Sequence, residues 1–167
     1  MVMKLNSQLK MKTFERGRSV IATLGLGKRA LIKKWFDDLG IDPNKYVIND
    51  DLSIDYKSYL DLENTNITKL PDNLTVHSFL DLSNTNITKL PDNLTVKGYL
   101  NLTNTNITEL PDNLIVNDSL YLSNTNITKL PDNLKVKDNI YISNDMKLTY
   151  VPEHLKGKKI NQYIKKA

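Results

Sequence analysis

The sequence predicts a solenoid: stacked 20-residue coils with short parallel β-strands, one per coil. Three observations predict it. Nearly the same segment occurs four times, as TNITKLPDNLTV at residues 65–76 and 85–96, TNITELPDNLIV at 105–116 and TNITKLPDNLKV at 125–136. A fixed period in this range is the signature of coils that contact only their neighbours. Within a coil, Leu80, Asp81 and Leu82 alternate apolar and polar, the pattern of a strand with one buried face. Each coil also carries a Leu-Pro-Asp-Asn bend, where proline removes a backbone donor and must lie off the main ladder.

The elements follow in chain order. Residues 1–46 read as a basic helical cap or arm, 47–155 as the solenoid and 156–167 as a basic tail. Residues 28–39 (KRALIKKWFDDL) read as an amphipathic helix, with Leu31, Trp35 and Leu39 at i, i+4, i+8 and Ile32 and Phe36 alongside. Gly40 is the stop signal and Pro43 lies just beyond. A repeat array needs a cap over its open first coil, and Trp35 and Phe36 are the apolar side chains suited to it.

Residues 47–59 form a degenerate first coil, in which Ile54 and Tyr56 align with Leu74 and Val76. In a full coil the inward positions are Leu80, Leu82, Ile87, Leu90, Leu94 and Val96. The run from Leu94 to Val96 is a second short strand or an extended arc. Residues 97–99, 117–119 and 137–139 are turns. No stretch inside a coil is long enough for a helix of three turns, so the convex side is extended or 3₁₀. Thr85 and its copies Thr65, Thr105 and Thr125 are inward and polar. Flanked by Asn84 and Asn86, the stacked hydroxyls are expected to satisfy one another and the backbone groups freed at the bend. The pattern decays over residues 140–152. Ile160 and Ile164, four apart, suggest a short helix covering the last coil.

Composition narrows the function classes. The chain has no cysteine, which removes disulfides and thiolate metal sites. His77 has Lys97 and Asn117 at the equivalent positions of the next coils, so no histidine ladder forms and no metal is expected. Asp72, Asp92, Asp112 and Asp132 each follow a proline and suit solvated turns better than a calcium site. Gly25, Gly27, Lys28 and Arg29 lack the first glycine and the hydroxyl of a phosphate-binding loop. Nothing resembles a catalytic constellation, so neither an enzyme nor a cofactor is expected. No apolar run approaches the ~20 residues of a membrane span. Residues 19–26 are too short and interrupted for an export signal, which points to a cytoplasmic protein.

The charge is segregated. Residues 1–46 carry a net +6, residues 47–146 a net −7 and residues 147–167 a net +5. An acidic solenoid is flanked by two basic ends, a pattern that speaks about partners and not about fold.

The frame L-x-L-x-x-T-x-I-x-x-L-P-x-x-L resembles a leucine-rich repeat over residues 47–152, of the short type with a Leu-Pro motif. Threonine replaces the usual asparagine after the strand. That resemblance implies a leucine-rich-repeat solenoid with a curved parallel sheet and protein recognition through its concave side. The entry segment, with Trp35 and Phe36, then residues 46–55, then Leu60, Asp61 and Leu62, is similar to small proteins of tailed bacteriophages that place a helix before repeated strands. In size the chain resembles the host-transcription shutoff factors of T-even phages. This implies association with host RNA polymerase and with DNA, in the host cytoplasm.

Positions that vary between coils are where specificity can reside. Asp61, Asp81, Asn101, Tyr121 and Tyr141 form one such outward column, running from acidic to aromatic. Glu63, Ser83, Thr103, Ser123 and Ser143 form another. Tyrosines on an open sheet are favoured protein contacts. These ten are the candidate protein-binding residues. Lys4, Lys10, Lys12, Arg16, Arg18, Lys28, Arg29, Lys33 and Lys34 at one end, and Lys156, Lys158, Lys159, Lys165 and Lys166 at the other, are candidate phosphate contacts for nucleic acid. The sequence reads as a monomeric, non-enzymatic adaptor that grips a protein with its repeats and touches nucleic acid with its ends. A pure protein-recognition module and a self-associating structural component are the alternatives.

Overall fold

In a computed structural model, residues 25–156 and 160–163 are described. The chain divides into two compact units, Met1–Asp42 and Pro43–Ala167. The boundary falls before Tyr46 because the following residues already belong to the solenoid: the Lys57 N–H donates to the Lys45 carbonyl at 2.8 Å.

In the first unit, residues 25–38 form a helix, α1. Its end is set by Gly40 at φ 65°, with the Gly40 N–H donating to the Asp37 carbonyl and the Ile41 N–H to that of Phe36, both at 3.0 Å. This pair of bonds satisfies the last carbonyls of the helix, and glycine adopts the left-handed conformation without a Cβ penalty. The helix expected from 28 is therefore longer at its start and stops where Gly40 predicts. Its face differs from the expected one. Leu31 is 69% exposed, whereas Ile32, Trp35, Phe36 and Leu39 share the covered side. Helical geometry explains the difference: an i, i+3, i+4, i+7 stripe centred on Phe36 excludes Leu31, which lies off that face.

The second unit is a β-solenoid built from two six-stranded sheets. Sheet I contains β1 (Tyr46–Ile48), β2 (Ile54–Tyr56), β4 (Leu74–Val76), β6 (Thr95–Val96), β8 (Ile115–Val116) and β10 (Lys135–Val136). Sheet II contains β3 (Leu60–Asp61), β5 (Leu80–Asp81), β7 (Leu100–Asn101), β9 (Leu120–Tyr121), β11 (Ile140–Ser143) and β12 (Ile160–Tyr163). Each full coil thus holds two strands, not one. The segment left open as an arc is a true strand, because Val76, Val96 and Val116 pair in parallel register and all point inward. Pairing advances by one 20-residue coil at every step, as in Leu80↔Leu100 and Leu100↔Leu120. The inward positions read from the pattern are all buried, and Leu80, Leu82, Ile87, Leu94 and Val96 have no measurable exposure. Between the sheets, residues 85–94 and their copies are extended or bent, without helix. The 3₁₀ turns, Pro43–Lys45 and Glu153–Leu155, lie outside the four regular coils.

Both ends depart from the repeat. At the start, β1 pairs antiparallel with β2, so sheet I begins with a hairpin. At the other end one residue is inserted after β11: Lys129 bridges Tyr150, and the Thr149 N–H donates to the Thr128 carbonyl at 2.7 Å. The period is restored at Ile140↔Ile160. The short helix expected around Ile160 is instead strand β12. A short isolated helix is marginal in water, while pairing with the open edge of β11 satisfies a whole row of backbone groups. Ile164 lies outside the described residues.

Close stacking has one visible steric limit. A Cβ on Gly98 would stand 2.8 Å from the Phe79 nitrogen and 2.9 Å from the Ser78 carbonyl carbon. Gly25 and Gly27, inside α1, face open space. Gly98→Ala is expected to destabilise the protein by about 1–3 kcal/mol through backbone displacement. Gly27→Ala is expected to stabilise α1 by up to about 1 kcal/mol. Thermal unfolding of the two variants checks both signs.

Candidate functional site

Sheet II presents one face to the core and the other to solvent. Leu60 and Leu62 are buried, while Asp61 and Glu63 between and after them are exposed. All ten sequence-predicted protein-binding residues lie on that outer face. Asp61, Asp81, Asn101, Tyr121 and Tyr141 stand in parallel register, one per coil. Glu63, Ser83, Thr103, Ser123 and Ser143 run beside them. Ser83 is 5% exposed, so it serves the turn more than it faces a partner.

A third column was missed. Tyr59, Phe79 and Tyr99 directly precede the buried leucines, at the 20-residue period, on this same face. The signal was present in the sequence but sat in a segment read only as a turn. Their backbones belong to the ladder, since the Leu60 N–H donates to the Phe79 carbonyl and the Leu80 N–H to that of Tyr99. The rings stack: Tyr59 on Phe79 at 4.9 Å and 13°, Phe79 on Tyr99 at 4.8 Å and 4°. The stack then changes column. Tyr99 meets Tyr121 edge-on at 5.8 Å and 82°, and Tyr121 stacks on Tyr141 at 4.6 Å and 7°. Each such pair adds about 0.5–1.5 kcal/mol beyond burial. The consequence for binding is specific. The faces between Tyr59, Phe79 and Tyr99, and between Tyr121 and Tyr141, are used by neighbouring rings, and the Lys45 ammonium lies over Tyr59, 5.9 Å from its centroid. What the stack offers outward is ring edges and phenol groups.

The corner after the strand is built from asparagine and threonine. Asn64, Asn84, Asn104 and Asn124 have φ between 56° and 58°, a conformation asparagine tolerates better than other side chains. Their amides form a ladder, Asn124 to Asn104 at 2.7 Å, Asn104 to Asn84 at 2.8 Å and Asn84 to Glu63 at 3.2 Å. The threonine hydroxyls do not bond one another. Each donates to the leucine carbonyl three residues back: Thr65 to Leu62, Thr85 to Leu82, Thr105 to Leu102 and Thr125 to Leu122, at 2.6–2.8 Å. Between the strands and this corner lies a shallow groove of about 340 Å³, lined by Glu63, Asn101, Thr103, Tyr121 and Ser123 among others. The Tyr99 phenol is held above its ordinary value, first by burial and then by the Asp81 and Asp61 carboxylates.

The charged ends are only partly described. Lys28, Arg29, Lys33 and Lys34 lie on α1, and Lys156 follows the second 3₁₀ turn. Lys33 pairs with Asp37 at 3.2 Å, Lys34 with Asp38 at 2.6 Å and Lys156 with Glu153 at 2.5 Å. These exposed pairs add little stability, but they offset local positive charge. Lys4, Lys10, Lys12, Arg16, Arg18, Lys158, Lys159, Lys165 and Lys166 lie outside the described residues.

On the outer face of sheet I, His77 Nε2 is 2.8 Å from Asp55 Oδ1, and the Asn49 amide donates to Asp55 Oδ2 at 2.9 Å. His154 Nε2 donates to the Leu134 carbonyl at 2.9 Å. Among the described residues no group of three or more His, Asp or Glu is placed to hold a metal ion. No described helix is long and apolar enough to cross a membrane. No protein-family model matches the chain, and no curated protein or solved structure is significantly similar to it.

Two predictions follow from these contacts. Asn104→Ala forces alanine into the left-handed region and breaks two ladder bonds, so it should destabilise by about 1–3 kcal/mol. Asn104→Gly, free of the backbone term, should cost clearly less, and denaturant unfolding orders the two. Asp55 is held below its ordinary value, first by the His77 hydrogen bond and then by that of Asn49. A carboxylate with a depressed folded-state value stabilises above its unfolded value, and that stability is lost as pH falls through the folded one. The stability gap between the wild-type protein and Asp55→Asn should therefore close as pH drops from about 5 to about 2. Thermal midpoints measured across that range check it.

Proposed function

We propose that this protein is a non-enzymatic recognition module that binds a partner protein across the outer face of sheet II. The observation that carries the proposal is the ordering of that face. Five aromatic rings, a hydrogen-bonded amide ladder and the polar groove beside Tyr121 form one continuous surface of fixed side chains. Surfaces preorganised in this way lose little side-chain entropy on binding. Single-stranded nucleic acid binds by stacking bases on aromatic faces, and here the faces between Tyr59, Phe79 and Tyr99 and between Tyr121 and Tyr141 already meet other rings.

The finer assignment to the leucine-rich repeats rests on the L-x-L-x-x-T-x-I-x-x-L-P-x-x-L frame. The assignment to phage host takeover, with host RNA polymerase as partner and DNA touched by the basic ends, rests on the resemblance of the entry segment and on the segregated charge. Both belong to this proposal.

The test is affinity capture from bacterial lysate, with and without nuclease, using the wild-type chain and Thr103→Arg/Ser123→Arg. The expected result is a partner retained after nuclease by the wild type and lost by the variant, with unchanged thermal stability. Equal capture by both chains overturns the choice of face. If RNA polymerase is the partner, the purified enzyme is retained in the same assay. Charge reversal at Arg16, Arg18, Lys33 and Lys34 should weaken DNA retention at low salt without affecting that capture.

A further inference from the structure

The acceptor that closes the turn after each strand of sheet II changes along the array. Asp81 Oδ1 accepts from both the Ser83 N–H at 2.9 Å and the Ser83 hydroxyl at 2.6 Å. One coil on, Asn101 Oδ1 accepts from the Thr103 N–H at 3.1 Å, and the Thr103 hydroxyl has no hydrogen-bond partner among the described residues. At the next coil Tyr121 takes the acceptor's place. Its oxygen lies at the far end of a ring, and neither the N–H nor the hydroxyl of Ser123 has a hydrogen-bond partner among the described residues. Three donors on two half-buried residues in neighbouring coils therefore take their acceptors from outside the described chain.

Thr103 and Ser123 line the groove of about 340 Å³, a volume at the lower end of small-ligand sites. Asn104, on the same wall, donates one amide hydrogen to Asn84 at 2.8 Å and accepts one from Asn124 at 2.7 Å. Those bonds fix the plane of the amide and leave its second hydrogen and second lone pair to a ligand. Glu63 Oε1 accepts from Asn84 at 3.2 Å, and Oε2 has no hydrogen-bond partner among the described residues. No lysine, arginine or histidine and no aliphatic hydrophobic side chain lines the groove.

We infer that this groove is a binding site for a neutral saccharide. A sugar hydroxyl both donates and accepts, so it can accept from Thr103 and Ser123 and donate to Glu63 and to the amide oxygen of Asn104. The Asn104 N–H donates to the Ser123 carbonyl at 3.0 Å and keeps Thr103 and Ser123 in neighbouring coils. Their hydroxyls are about one coil spacing, ~4.8 Å, apart, a distance that non-adjacent hydroxyls of one sugar ring span. Other ligand classes fit less well. An anion would satisfy the donors but meets Glu63 with no cation to offset it. An apolar ligand would leave the donors unpaired. An added peptide strand needs the edge of a sheet, and this groove lies on a face. The inference goes beyond the proposed protein partner and does not depend on it.

The experiment uses the purified full chain and saturation-transfer NMR with oligosaccharides of glucose, mannose, galactose and N-acetylglucosamine, and with an oligosaccharide of galacturonic acid as the anionic control. At least one neutral oligosaccharide should receive saturation, with a titrated affinity that does not change with salt, and the galacturonate should receive none. Thr103→Val/Ser123→Ala removes both hydroxyls and breaks no hydrogen bond of the described chain. It should weaken binding of the neutral oligosaccharide about tenfold or more, with the thermal midpoint unchanged. Saturation of none of the neutral oligosaccharides, or equal binding by the double variant, overturns the inference. So does tighter binding of the galacturonate. A double variant with a lowered thermal midpoint and unchanged saccharide affinity assigns the hydroxyls to the fold and overturns it as well. The assay holds no second protein, so its failure is distinct from that of the protein-partner reading. If Thr103→Arg/Ser123→Arg loses its lysate partner while the wild type binds no saccharide, the partner reading stands and the saccharide site falls.

Discussion

The parallel register of 20 residues is the constraint on which the second unit depends. In sheet II each inward leucine from Leu60 to Leu120 pairs with a leucine or isoleucine of the next coil, and a slip of one residue along a strand would turn the buried set outward. The polar groups obey the same period. The Asn84 N–H meets the Thr103 carbonyl, the Asn84 side chain meets Asn104, and each threonine hydroxyl closes its own corner. With core and corner locked to one repeat length, an inserted residue finds room only where stacking has lapsed. The insertion between Lys129 and Tyr150 lies beyond the last full coil, and Met146 there places its sulfur 3.8 Å from the Thr125 hydroxyl.

This constraint sorts the residues of a coil by freedom. Positions such as Thr85 and Leu94 are bound to core or corner. Positions on the outer face of sheet II are bound only to alternate outward, so their chemistry can change from coil to coil: Asp61, Asp81, Asn101, Tyr121 and Tyr141 share a backbone role and differ in everything else. A solenoid thereby separates what holds it together from what it displays. Asn101 makes the separation concrete, since it serves its turn as Asp81 does and carries no charge.

Much of this was legible in the sequence, for physical reasons. Period-two alternation marked Leu80 and Leu82 as inward, and Gly40 marked the helix end, because each signal is local and single-valued. The second strand was ambiguous because Thr95 and Val96 are too few to declare a ladder without their neighbours in space. The left-handed asparagines were invisible as such: Asn84 and Asn86 look alike in sequence, yet only the first has positive φ. Strand β12 was misread because Ile160 fits a helix by spacing, whereas the open edge of β11 is a tertiary fact. The helix face was misplaced by one side because Leu31 and Ile32 are equally apolar, and burial alone separates them.

The aromatic stack shows why the candidate surface is harder to read than the core. Each of the first five rungs of sheet II carries one ring across its first two outward columns: Tyr59 beside Asp61, Phe79 beside Asp81, Tyr99 beside Asn101, then Ser119 beside Tyr121 and Asn139 beside Tyr141. Read down a single column, the rings appear to stop at Tyr99 or to start at Tyr121. Read in space, the edge-on contact of Tyr99 with Tyr121 joins them into one line, and the small, buried Ser119 occupies the place the ring has left. The crossing has a consequence for recognition. Where rings fill the first column, the second is left to Asp61, Asp81 and Asn101; where rings fill the second, the first is left to Ser119 and Asn139. Continuity of one stabilising stack thus leaves Asp61 and Asp81 beside rings at one end of the face, and Ser119 and Asn139 beside Tyr121 and Tyr141 at the other.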